Sequence, residues 1–229
     1  MPKELDIRLE SLIYTAQFAE PIFELWGAGQ VIIGSLYHAL SEYGVRLEHI
    51  NIVNNVSASA PVATVELPST SGKMTVRFAF NRMEFEFHNF TTAFFESIPT
   101  VLLKSTAWLR NVPPKNFRFA SHRFGYYSHA FIKGGTTKET LDLINPRVPR
   151  GLGIGLGNGT VFHTFLPEKD WTLKLSFEES LALTGALFVS FVIETSVDAV
   201  DYAAVMSEGR ACFNLVLGEM NLAIPDPVQ

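Results

Sequence analysis

The sequence predicts an α+β protein with a mainly antiparallel sheet, or two sheets, covered by long helices. Three observations lead there. Short segments with alternating apolar and polar residues recur along the chain; others repeat apolar residues at helical spacing; and 47% of the 229 residues are hydrophobic against 18% charged, enough for a large core.

Taken in order, residues 9–19 (LESLIYTAQFA) are rich in strand formers and stop before Glu20-Pro21, where proline ends regular pairing. Ile32, Ile33, Leu36, Tyr37 and Leu40 then define a helix over about 25–43, with Gly44 placed for a left-handed cap. Gly27, Gly29 and Gly34 weaken its front half. HINIVNN and PVATVEL read as one long or two short strands, separated by the small polar cluster SASA and followed by a turn at 69–72. Val76, Phe78 and Phe80 alternate with Arg77 and Ala79, while Met83, Phe85 and Phe87 alternate with Glu84 and Glu86. The phase switch at Asn81-Arg82 predicts a tight hairpin with all six apolar side chains on one buried face; a bulge in one long strand is the alternative.

Thr91 or Thr92 can cap the next helix, and Ser97 with Pro99 signals a second start, so a kink or restart is expected there. The prolines of NVPPKN, residues 111–116, end that helix. They mark the expected boundary between an N-terminal α+β lobe, 1–112, and a C-terminal one, 113–229, packed as one compact unit.

The second half opens with NFRFASHRFGYYSHAFIK, one or two aromatic-rich strands broken near Gly125. Thr136 and Glu139 fit a capping box for a helix over 137–144, which Asn145-Pro146 stops. VFHTF is a strand, and WTLKLSFE is one-sided, with Trp171, Leu173, Leu175 and Phe177 on one face. The apolar run 181–193 reads as a central strand covered on both faces. A last helix over 198–222 places Ala203, Ala211, Leu215 and Met220 on its buried face, interrupted by Gly209, with Asp198 and Asp201 in its first turn near the positive dipole end. Both halves follow the order strand, helix, strands, helix, which predicts a duplicated unit.

The functional motifs are mostly negative. GLGIGLGNGT, residues 151–160, fails as a dinucleotide fingerprint because Leu156 and Asn158 stand where a final glycine is needed and a strand follows instead of a helix. The P-loop pattern fails too, since Gly72-Lys73 is preceded by Leu67 and followed by Met74. No cofactor is expected. In an extended segment, Gly151, Gly153, Gly155 and Gly157 leave one face bare, to be met by the protein's own core, by a partner or by a ligand.

Lys115, Arg118, Arg123 and Lys133 interleave with Phe117, Phe119, Phe124, Tyr126, Tyr127 and Phe131, as single-stranded nucleic acid would require. A net charge of -5 argues against that partner, and an amphipathic strand with its rings in the core accounts for the same pattern. None of the six histidines has close metal-ligand spacing, so no metal site is expected; His122 and His129 could share a strand only on opposite faces. Glu84 and Glu86 share a strand face, which suits acid/base work or, more commonly, the solvated side of a sheet. Ser128-His129 is no nucleophile arrangement, because no G-x-S-x-G elbow accompanies it. The single cysteine, Cys212, excludes an internal disulfide and reads as a small buried residue.

The first residues lack an apolar stretch of signal-peptide length, and the run 181–193 is shorter than the ~20 residues of a membrane helix. A cytoplasmic protein without membrane contact is expected. Absent catalytic motifs and plentiful aromatic and glycine-rich surface point to a non-catalytic protein acting through protein partners or as a homo-oligomer. The alternative is a small-molecule binding protein or enzyme with a pocket between the lobes. The candidate surface is Gly151, Gly153, Gly155, Gly157, Arg123, Tyr126, Tyr127, His122, His129 and His163.

Overall fold

The computed structural model describes residues 2–25, 29–53, 62–68, 72–111, 118–144 and 159–224. The fold is α+β, with a large, mainly antiparallel sheet and four α-helices among the described residues. In chain order the elements are β1 (Lys3–Phe18), α1 (Gly29–Leu40), β2 (Ile50–Val53), β3 (Val62–Leu67), β4 (Gly72–Ala79), β5 (Arg82–His88), α2 (Thr92–Thr106), β6 (Phe119–Ile132), α3 (Thr137–Ile144), β7 (Gly159–Leu166), β8 (Trp171–Glu179), β9 (Leu187–Thr195), α4 (Tyr202–Glu219) and β10 (Leu222–Ala223). The chain divides into two compact units: residues 11–124 with 194–206, and residues 1–10, 125–193 and 207–229. Each takes residues from both sides of the proline segment at 111–116, and β1, β6, β9 and α4 lend residues to both.

In the unit built on 11–124 the strand order is β2-β3-β4-β5-β1-β6. Val76 lies opposite Phe85 and Phe78 opposite Met83, and on the other side Phe85 lies opposite Tyr14. Because strand side chains alternate, these pairs share one face. All of these side chains are buried there, with Ala63, Val65 and Met74 beside them. Helical aromatics close over this layer: Phe94 of α2 lies 6.1 Å from Phe87, and Trp108 lies 5.4 Å from Phe78. The opposite face is polar, and Arg77 pairs there with both Glu84 and Glu86.

The expected hairpin is present, with its turn one residue early. Ala79 pairs with Arg82, so Phe80 and Asn81 form the turn, and Phe80 stacks on Phe23 at 5.9 Å instead of joining the buried face. The first helix is shorter than its periodicity suggests: α1 has 12 residues, and a separate 3-10 turn at Ser41–Tyr43 ends on Gly44 at φ +78°. Of the kink or restart expected at Ser97 and Pro99, the restart does not occur. α2 runs through Pro99, which removes one backbone donor without breaking the helix.

Thr91 caps α2 by accepting the Phe94 N–H at 3.2 Å. Thr91→Ala is expected to cost about 1 kcal/mol in chemical denaturation, because that N–H loses its partner. No measurable loss would show that water replaces the cap.

In the other unit the order is β10-β1-β6-β9-β8-β7, with β10 parallel to the start of β1. β6 is one unbroken strand of 14 residues, so the break expected near Gly125 is absent. The Thr136–Glu139 capping box forms as read: the Glu139 N–H donates to Thr136 Oγ1 at 3.2 Å and the Thr136 N–H to Glu139 Oε2 at 3.1 Å.

Two expectations fail here for tertiary reasons. The run 181–193 is not one strand, because β9 starts at Leu187 and Leu181 is 99% exposed in the preceding loop. That loop is tied by side chains. Ser180 Oγ accepts the N–H groups of Ala182 and Leu183 at 3.2 and 2.9 Å, and Thr137 Oγ1 donates to the Gly185 carbonyl at 2.8 Å.

The last helix buries a different face from the one expected. Val205, Met206, Phe213 and Leu217 are buried, whereas Ala203 and Ala211 are exposed and Leu215 is 67% exposed. Gly209 belongs to the buried face, since a Cβ there would stand 2.5 Å from Ile193 Cδ1. The helix also starts later, at Tyr202, with Asp201 Oδ1 accepting the Ala203 and Ala204 N–H groups at 3.0 Å each. Among the described residues no helix is long and apolar enough to cross a membrane.

Candidate functional site

Three places carry functional potential. The first is a buried polar cluster in the unit built on 11–124. Alternation on β1 turns Tyr14 inward, and its hydroxyl lies 2.8 Å from His122 Nδ1 on β6 and 3.2 Å from the Tyr202 hydroxyl on α4. Phe85, Phe119 and Phe124 wall these groups. Burial lowers the His122 pKa, partly offset by the Asp198 backbone and carboxylate, and burial together with neighbouring Tyr202 raises that of Tyr14. Both groups are therefore neutral near pH 7. Among the described residues, no hydrogen-bond partner meets the buried His122 Nε2. Asp198, expected on the last helix, lies before it and accepts the Phe119 N–H at 2.7 Å. The cluster can hold a proton position, with Tyr14 and His122 buried and Tyr202 half-buried.

The second place is β6 in the other unit. Tyr126 donates to Glu10 Oε2 at 3.0 Å and packs on Phe213 at 5.6 Å. Burial raises the Glu10 carboxyl above the usual range, partly countered by that hydrogen bond, and raises the Tyr126 hydroxyl beside the carboxylate. Tyr127 and His129 both meet Phe188, at 6.4 and 4.9 Å. His129 Nδ1 lies 2.7 Å from Ser180 Oγ. Since Ser180 Oγ already accepts two backbone N–H groups, its proton is directed to His129. Burial lowers the His129 pKa, consistent with an accepting, neutral ring. This Ser–His pair anchors the 180–186 loop.

The third place is β7. It ends the strand order and pairs with β8 in unbroken register, from Gly159 opposite Glu178 to Leu166 opposite Trp171. No other described strand pairs with it. Val161 is 53% exposed, Phe162 42% and Phe165 54%, and they fall on both faces of the strand. The sequence GTVFHTFL contains no Asp, Glu, Lys, Arg or Pro.

The ten residues expected to share one surface are distributed as follows. Gly151, Gly153, Gly155 and Gly157 lie outside the described residues. His122 is buried and Arg123 is exposed, 3.4 Å from Glu194. In the other unit Tyr126 joins Glu10, Tyr127 and His129 meet at Phe188, and His163 is exposed on β7. Sequence reasoning missed Tyr14, Tyr202, Glu10 and Ser180, whose partners are too distant in the chain to leave a local signal. Val161, Phe162 and Phe165 did leave one, as an uncharged strand apolar on both faces. Among the described residues no group of three or more His, Cys, Asp or Glu side chains is placed to hold a metal ion.

No family model and no curated protein matches this chain. Among solved structures, Methanococcus jannaschii TBP is similar over 94% of this chain and 98% of that one, at 7% identity and a TM-score of 0.27. At that score neither fold nor function is transferred from it.

Proposed function

We propose that the protein acts by associating with protein, without catalysis, and that β7 is where a partner strand is added. The observation that carries this reading is that β7 ends the strand order and pairs only with β8 among the described residues. Natural sheets shield an edge strand with lysine, proline, a bulge or short length, because its backbone N–H and C=O groups otherwise template a further strand. β7 is eight residues long, carries neither lysine nor proline and pairs without a bulge. Exposed apolar side chains on both faces add area to the backbone bonds a partner strand would make.

The chain order also supports reading the fold as a duplicated unit. β1-α1-β2-β3-β4-β5-α2 is followed by β6-α3-β7-β8-β9-α4.

Phe165→Lys is expected to weaken strand addition roughly tenfold while changing stability by no more than about 0.5 kcal/mol, since the side chain is half exposed. The probe is a fluorescent peptide carrying residues 159–166 between terminal lysines, titrated into the full chain, with thermal melting alongside. Saturable binding that Phe165→Lys weakens would support the reading. No saturable binding at high micromolar concentration would reject it.

A further inference from the structure

We infer that the occupant of β7 is a second copy of this chain, paired antiparallel with it about a two-fold axis at His163. This rests on the strand-addition reading and names the partner. An edge of backbone donors and acceptors selects an extended strand, and β7 carries no formal charge to repel its own copy.

Symmetry then restricts the register. A two-fold axis normal to the sheet keeps each residue on its own face, while neighbouring residues in a strand alternate faces. The axis must therefore pass through a residue pair, each residue opposite its own copy. For the strand Gly159–Leu166, the two registers of greatest overlap centre on Phe162 and on His163.

The side chains separate the two. Centred on His163, Val161 lies opposite Phe165 of the second copy, and symmetry repeats the pair. These two most exposed apolar side chains of the strand then cover one another as an aromatic and β-branched pair. On the other face Phe162 meets Thr164 and Thr160 meets Leu166. Centred on Phe162, Phe165 would face the bare backbone of Gly159, and Val161 would face His163. Only the His163 register covers Val161 and Phe165 with each other.

The test uses the full chain with Cys212→Ser and one new cysteine at a time: His163→Cys, Phe162→Cys or Thr164→Cys. Sedimentation velocity of the wild type is expected to show a concentration-dependent dimer, which Phe165→Lys disperses. Mild oxidation or a short bismaleimide is expected to trap most of the His163→Cys chain as a covalent dimer and little of the other two. A dimer trapped best through Phe162→Cys would overturn the register. A strict monomer that still binds the 159–166 peptide would overturn the second copy as occupant and leave strand addition standing, whereas a monomer that also ignores the peptide would remove both. A dimer unmoved by Phe165→Lys and untrapped by any cysteine would place self-association elsewhere and overturn the inference. Because the wild-type measurement needs no variant, a substitution that fails to fold does not protect the proposal.

Discussion

Replacing Phe85 by alanine is expected to destabilise the protein by about 3 to 5 kcal/mol, the range for deleting a buried aromatic ring. Phe85 is fully buried on β5, opposite Tyr14 on one neighbouring strand and Val76 on the other, and its ring centre lies 5.9 Å from Phe78 and 6.3 Å from Tyr14. A cavity there borders aromatic rings on strands that cannot close inward without breaking their ladders, so little of the volume is recovered. Against a typical total stability of about 5 to 15 kcal/mol, this is a large share. Phe85→Leu retains most of the volume and is expected to lose much less. Denaturant titration of both variants checks the pair, and a loss below about 1 kcal/mol for the alanine variant would mean that this layer is not the core of its unit.

Tyr14→Phe is expected to cost about 1 to 3 kcal/mol although it removes one oxygen atom, because His122 Nδ1 is left buried without its partner. The same cluster makes stability depend on pH. His122 has its pKa lowered in the folded protein, first by burial, with Asp198 opposing, from an ordinary value of 6.5. The unfolded chain therefore binds a proton more readily than the folded one, and stability is complete above about pH 6.5 and falls as the pH drops below it. The groups against the ring are the Tyr14 hydroxyl, the Phe119 ring and Asp198, while Tyr202 and Phe124 lie against Tyr14. His129, also lowered by burial, contributes in the same direction. Melting temperatures of wild type and His122→Leu from pH 7.5 to 5 isolate the His122 share. The wild type is expected to lose more stability over that interval, and parallel curves would show that His122 takes up no proton there.

Much of the fold was legible because it is written in short-range chemistry. Alternation located β4, β5 and β8, proline after Glu20 ended β1, and Gly44 stopped the turn after α1 because only glycine adopts φ +78° at little cost. The capping box at Thr136 and Glu139 is a contact within three residues, and three residues of sequence suffice to see it. The uncharged, two-sided strand VFHTF was visible too, but its place at the sheet edge was not, since nothing in five residues says how many neighbours a strand will have.

What the tertiary structure alone decided lies at long separation. Tyr14 and His122 are 108 residues apart and meet because β1 and β6 share a unit; Tyr126 reaches Glu10 across 116 residues. Gly209 looked like an interruption of the last helix by propensity, yet it sits on the buried face because Ile193 approaches where a Cβ would be. The buried stripe runs through Gly209 with Val205, Met206, Phe213 and Leu217, and leaves Ala203, Ala211 and Leu215 exposed. Leu181 follows the same rule in reverse, an apolar residue left exposed in a loop that hydrogen bonds of Ser180 and Thr137 tie in place. Local sequence sets which backbone shapes are cheap, by sterics and hydrogen bonding within a few residues. Which of the available faces is buried depends on the shape of a neighbour whose own sequence lies elsewhere in the chain, and that information exists only once the two have packed.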